Sequence, residues 1–144
     1  MKTNDDSLVK RRLRAWGALP QIVRDVFGTE DVNAIEQAIN RFCAEHLGSP
    51  VAVHHFFDVG IGSVHGVQLE DARRVLVKAR RRGTSRAHLA AAQKIQRQLA
   101  QLQFPCPTPL VGPSVLALGV GIAETWLVAG ARDDPHEPEL RQAM

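Results

Sequence analysis

The sequence predicts an α+β domain in which N-terminal helices precede a five-stranded antiparallel sheet, and one long helix interrupts the strands. Three observations predict it. β-Branched and aromatic residues crowd three short runs between Val51 and Ala79, joined by short polar or glycine-rich turns. Apolar residues then recur at helical spacing up to about Gln103. Two more β-branched runs follow, turned by Gly119-Val120-Gly121.

Each element has its own reason. Ser7 is placed to cap a short basic helix, Leu8 to Trp16, which Gly17 and Pro20 end. Gln21 to Phe27 makes a further turn or two, closed by Gly28. Asp31 is a good N-cap for the next helix, where Val32, Ile35, Ile39, Phe42 and His46 form one face before Gly48 and Pro50 stop it. Val51–Asp58, Val64–Leu69 and Arg74–Ala79 read as three strands of an antiparallel meander. Thr84 or Ser85 caps the long helix, whose expected buried face is Leu89, Ala92, Ile95, Leu99 and Leu102. Pro105, Pro107 and Pro109 force an extended passage into the last two strands, Ser114–Leu118 and Ala123–Val128. Residues 1–50 are thus a helical segment and 51–144 a lobe of sheet and helix.

Composition narrows the class. The chain has 144 residues, a hydrophobic share of 44%, a charged share of 23% and a net charge of +3. A chain this long buries about 68–70% of its extended surface and needs no disulfides to fold. Cys43 and Cys106 have no zinc or redox spacing, which fits a reducing cytoplasm. No apolar run approaches the ~20 residues of a membrane span, and Met1 to Asp6 lacks a signal-peptide core. A cytoplasmic protein without a membrane partner is the expectation. His54 and His55 are strand neighbours on opposite faces, so they cannot chelate one metal together. The basic runs Lys10–Arg14 and Arg80–Arg82 read more simply as solvated charge than as a nucleic-acid surface.

Lys78 is the most informative residue. It ends the strand Arg74-Val-Leu-Val-Lys78, where alternation puts Leu76 and Lys78 on one face and Val75 and Val77 on the other. A lysine in a half-buried strand is costly without an anionic partner, and a nucleotide phosphate would be one. Gly60-Ile61-Gly62-Ser63 lies between the first two strands, where glycines allow close backbone approach to phosphate.

A glycine turn, a strand, Val-Leu-Val-Lys at the end of a third strand, and then a long helix is the order of the upper lobe of protein kinase-like folds. The chain resembles the aminoglycoside phosphotransferase and choline kinase-like family over about Val51 to Met144. Ala87–Ala100 is similar to that family's helix after the lysine strand. Phe104-Pro-Cys-Pro-Thr-Pro-Leu110 is similar to its passage into the fourth strand. Gly121-Ile-Ala-Glu-Thr-Trp-Leu127 is similar to its fifth strand entering the hinge.

The resemblance implies an ATP-binding lobe. Lys78 would hold the α- and β-phosphates, and Gly60, Gly62 and Ser63 would cover them. Val67 and Leu76 would line the adenine, and the backbone from Glu124 through Trp126 to Leu127 would be the hinge. The family's helix usually supplies a glutamate to the lysine; here Gln93 is the expected substitute, with Gln96 close by. No catalytic aspartate or Mg²⁺-holding pair follows, since Asp133, Asp134, Glu137 and Glu139 lie outside any H-x-D or D-x-D setting. ATP and Mg²⁺ are the implied cofactors, the metal needing residues outside this chain. The expected partners are a nucleotide and either a separate catalytic lobe or a second copy, met through an apolar surface on the hinge side. Two other readings stay open: a non-catalytic protein-interaction module and a basic nucleic-acid-binding domain.

Overall fold

The structure is a computed structural model that describes residues 20–127. The basic segment Leu8–Trp16 and the acids Asp133, Asp134, Glu137 and Glu139 lie outside these residues. The elements are α1 (Gln21–Phe27), α2 (Val32–Leu47), β1 (Val51–Val59), β2 (Ser63–Leu69), β3 (Arg74–Arg80), α3 (Arg86–Gln101), β4 (Pro109–Leu116) and β5 (Gly119–Thr125). All five strands form one antiparallel sheet, so the molecule is α+β with a long packed helix between β3 and β4. Among the described residues no helix is long and apolar enough to cross a membrane.

The strands are not a simple meander. Their order is β1-β2-β3-β5-β4, so the chain leaves β3, crosses through α3, makes β4 at the edge and returns as β5 beside β3. The turn between the last two strands also falls elsewhere than expected. It is Ala117-Leu118, with Ala117 at φ 52°, while Gly119 and Gly121 lie inside β5. These glycines serve contact rather than turning. A Cβ at Gly119 would lie 2.2 Å from the Arg80 carbonyl oxygen, and one at Gly121 would lie 2.9 Å from the Phe42 ring. β4 is an edge strand, which explains why it tolerates Pro109 and Pro113.

One face of the sheet is covered by α1 and α2. Asp31 caps α2 by accepting from the Ala34 N–H, and Gly48 ends it in the left-handed conformation. Ile35, Ile39, Phe42 and Cys43 of α2, with Val23, Val26 and Phe27 of α1, pack on Val67, Leu69, Val75, Val77, Ala79 and Ala123. The helices before residue 50 and the sheet after it therefore share one core.

The long helix α3 sits on the sheet the other way round from expectation. Ser85 caps it, accepting from the His88 N–H. Of the residues expected inside, Ala92 is exposed, Leu89 and Leu99 are half-buried, and Ile95 and Leu102 are 57% and 75% exposed. The buried residue is Gln93, at 2%. Periodicity locates a stripe on a helix but not the direction it faces. Here β4 is irregular around Val111, where its register to β5 shifts. The Gln93 amide donates to the Val111 carbonyl at 2.9 Å, satisfying a carbonyl in this irregular stretch. Gln96 turns the same way, toward the Pro107 carbonyl at 3.4 Å and toward Glu124. Two polar side chains dock the helix, and Ile95 and Leu102 point to solvent.

Candidate functional site

The face of the sheet opposite α1 and α2 carries Lys78. Register places Val64 and Gly66 of β2, Leu76 and Lys78 of β3, and Ile122 and Glu124 of β5 side by side on it. Lys78 Nζ lies 3.1 Å from Glu124 Oε2, with the Glu124 side chain 4% exposed and that of Lys78 28%. Gln96 Nε2 reaches the other carboxylate oxygen at 3.3 Å. The counter-charge for Lys78 therefore comes from β5, not from α3. Gln93, the expected substitute, is committed to Val111. Gln96 completes the site by holding Glu124 rather than the lysine.

A second cation reaches the glycine turn. Arg80 alternates onto the Lys78 face, and its Nη1 would lie 2.9 Å from a Cβ at Gly62. Arg80 has no ion pair among the described residues. Gly60 and Gly62 close the β1–β2 turn through a Gly60 N–H to Gly62 carbonyl bond of 2.8 Å. Gly62 must be glycine because a Cβ would sit 2.0 Å from the Ala79 carbonyl oxygen, while Gly60 has open space.

Towards the other end of β3 the same face is aromatic. The Phe56 ring lies against Gly66, where a Cβ would come within 2.1 Å of it. Trp126 meets Phe56 edge-on at 5.3 Å and His55 at 5.4 Å, and the Arg74 guanidinium lies 5.7 Å from the Trp126 ring. Leu76 is half-buried beside them. The hinge stretch is tied back into the fold. Thr125 N–H donates to the Thr108 carbonyl, and Trp126 N–H donates to the Arg74 carbonyl at 3.2 Å. Leu127, Leu102 and Phe104 are exposed.

Two expected site residues face the other way. Val67 pairs with Val75 and is buried in the helix-covered core, so it cannot line a cleft with Leu76. Ser63 pairs with Ala79 on that same side, and its Oγ lies 2.8 Å from His65 Nε2. A one-residue shift of phase separates each from the Lys78 row. His65 is itself buried, stacked on Phe57 at 4.6 Å and edge-on to Phe27 at 5.6 Å. Loss of hydration, with His54 nearby, pulls its pKa down to about 3, so this imidazole is neutral. Burial also pushes the Cys43 thiol up to about 12, which leaves it unreactive.

Phe56, Arg74, Arg80 and Gln96 are the residues of this face that sequence reasoning left without a firm role. Arg80 had a signal, since it follows Lys78 by two positions in a strand. Among the described residues no three His, Cys, Asp or Glu side chains converge as a metal site. On this face the buried carboxylate is that of Glu124, whose two oxygens are already taken by Lys78 and Gln96. An open groove of about 620 Å³ runs between α2 and the β4–β5 hairpin, lined by Ala38, Phe42, Val115 and Leu116 among others, and contains neither Lys78 nor Glu124. Comparison with protein-family models, with curated proteins and with solved structures returns no match, so the reading of this face rests on its own chemistry.

Proposed function

We propose that the chain is a nucleotide-binding lobe of the kind found in aminoglycoside phosphotransferase-like small-molecule kinases, holding phosphate without transferring it alone. The observation that carries this reading is the pair of cations Lys78 and Arg80, two positions apart on one strand face beside the Gly60–Gly62 turn. Lys78 is held by Glu124, which Gln96 holds in turn, whereas Arg80 keeps its charge available to an anion. Half-buried Leu76, Phe56 and Trp126 supply an apolar floor for a planar base farther along the face. The order of strand, glycine turn, two strands, long helix and two strands supports the same reading.

The mechanism available to these residues is binding and orientation. Arg80 and Lys78 place phosphate oxygens over the turn, and Glu124 fixes the position of the ammonium. A half-open face covers only part of a ligand, against roughly 70–90% in a formed pocket. The expected dissociation constant for ATP is thus about 1 mM. The test is an NMR titration of the 144-residue chain with ATP, ADP and AMP. Shifts should cluster on residues 60–64 and 76–80, weaken with fewer phosphates, and vanish in Arg80→Gln and in the charge-neutral pair Lys78→Met/Glu124→Gln. Shifts confined to the α1–α2 side, or unchanged in these variants, would sink the reading.

A further inference from the structure

The sheet face that holds Lys78 is longer than one nucleotide needs. α3 docks on β4 through Gln93 and on Glu124 of β5 through Gln96. Over β1, β2 and β3 the same face leaves Phe56, Val64 and Leu76 part-exposed. Along β3 the alternate residues Arg74, Leu76, Lys78 and Arg80 form one row, with about 6.6 Å between neighbours and about 20 Å from end to end. A nucleotide with phosphates at Lys78 and Arg80 and its base on Leu76 and Phe56 fills only the middle of this row.

Cations continue beyond it at both ends. Past the base, Arg74 is exposed and its guanidinium lies 5.7 Å from the Trp126 ring, so a positive charge and a half-buried aromatic stand together there. Past the phosphates, a Thr84 N–H to Arg81 carbonyl bond of 3.0 Å turns the connector, which keeps Arg82 and the first residue of α3, Arg86, near the Arg80 end of the sheet. Arg74, Arg80, Arg82 and Arg86 have no ion pair among the described residues, whereas Arg81 turns to α1 and pairs with Asp25. The sequence from Ala72 to Ala123 contains nine lysines and arginines and no aspartate or glutamate. The acids of this sheet face are Glu124, taken up by Lys78, and Asp58, level with Lys78 on β1, which bounds the row on its other side. A single nucleotide carries its phosphates on one side of its base. A row with cations on both sides of the base fits a polymer of nucleotides.

We propose that the open face of β1, β2 and β3 binds a single-stranded polynucleotide along β3, its backbone on Arg74, Lys78, Arg80, Arg82 and Arg86 and its unpaired bases on Phe56 and Trp126. The rings take bases that a duplex would hide, and the cations release counterions from the phosphates. A row of about 20 Å suits about four nucleotides, the short end of single-strand sites. The proposal rests on the nucleotide reading for Lys78 and Arg80, and it extends the ligand past one nucleotide in both directions.

Fluorescence anisotropy of the full chain with labelled oligo(U) and oligo(dT) tests it. Affinity should climb at least about tenfold from the dinucleotide to the octanucleotide, and duplex DNA of that length should bind at least about tenfold more weakly. A preference for either sugar supports the proposal and says whether the strand is RNA or DNA. The salt dependence should have a log–log slope of about −3, for roughly four neutralised phosphates. Arg74→Gln and Arg82→Gln/Arg86→Gln should each weaken octanucleotide binding by about threefold or more, with circular dichroism unchanged because all three positions are exposed. Trp126→Leu should weaken it by about fivefold or more, and Trp126→Phe should keep most of it. Indifference to these variants overturns the proposal, as does equal or tighter binding of the duplex. So does inorganic polyphosphate or a phosphatidylserine vesicle binding as tightly as the octanucleotide, which would make the face a general anion surface. Loss of binding in Arg11→Gln/Arg12→Gln/Arg14→Gln but not in Arg74→Gln would assign the strand to the N-terminal basic run, and the proposal is likewise wrong. ATP shifts on residues 60–64 and 76–80 with no gain from longer strands would sink this proposal and leave the nucleotide reading standing; no binding of either ligand would sink both.

Discussion

The two faces of the sheet solve the problem of burial in opposite ways. The face under α1 and α2 is filled by aliphatic and aromatic side chains, and its polar members, Ser63 and His65, satisfy each other. The face under α3 is held by polar contacts: Gln93 on a carbonyl, Gln96 on a carboxylate, and a lysine paired with that carboxylate. The first arrangement is non-directional and tolerates no lost volume. The second is directional and tolerates no lost partner. Stability therefore belongs to the first face, and the positioning of charge belongs to the second.

The sharpest break in this comparison is Ile39→Ala. Ile39 is fully buried between α2 and the sheet, and truncation should cost about 3–4 kcal/mol in urea denaturation. A loss below about 1 kcal/mol would mean that the apolar face does not carry the fold.

On the polar face, Lys78→Ala leaves the Glu124 carboxylate buried with only Gln96 beside it. The expected loss is about 2–3 kcal/mol. Lys78→Met/Glu124→Gln removes both charges and should recover most of it. A double variant as unstable as the single one would show that the pair itself, rather than the orphaned carboxylate, matters.

The smallest effect separates the faces by pH. His65 is neutral in the fold with a pKa held near 3, against 6.5 in the unfolded chain. The unfolded chain therefore binds a proton that the folded one refuses, and stability rises with pH across this window. Its contribution is complete above about pH 6.5 and falls by roughly 1 kcal/mol per unit as the pH drops toward 5. Arg73 beside Asp71 and the Gln21 bond to Asp25 hold those carboxyls low, so their own contributions fade only at more acid pH. His65→Gln should flatten the slope between about pH 5 and 6.5. An unchanged slope would place the proton elsewhere.

The strands and helices were legible because each is marked locally. Asp31 and Ser85 announce helix starts, and Val51–Ala79 alternates as strands do. The side of α3 that faces the sheet was not legible, because the cause is the irregular stretch at Val111, which no local pattern reveals. Gln103 also ends that helix at a left-handed φ of 63°, where a glycine would be expected, so this closure left no mark. The partner of Lys78 was hidden by topology. Leu76 lies opposite Glu124 only because β5 returns to β3 across 48 positions of sequence. One signal did exist: Glu124 is the lone acid in an apolar strand, as Lys78 is the lone amine in another. The glycines of β5 misled for the same reason. They read as a turn, and their true constraint is the backbone of a distant strand.

The insertion of β5 also sets an order of events in the making of the molecule. β1, β2 and β3 are consecutive and can zip by short turns, but β3 then presents Val75 and Val77 on an unpaired edge. That edge stays open while α3 and β4 are synthesised, since the strand that closes it ends only at Thr125. The last described strand is an interior one, so the sheet closes through its most sequence-distant pairing. A nascent chain halted before that point carries a strand edge ready to recruit a neighbour. Slow production over residues 81–118 is where this protein is most exposed to aggregation, and Arg80, Arg81 and Arg82 stand at the start of that interval as a cluster of like charge that keeps such chains apart.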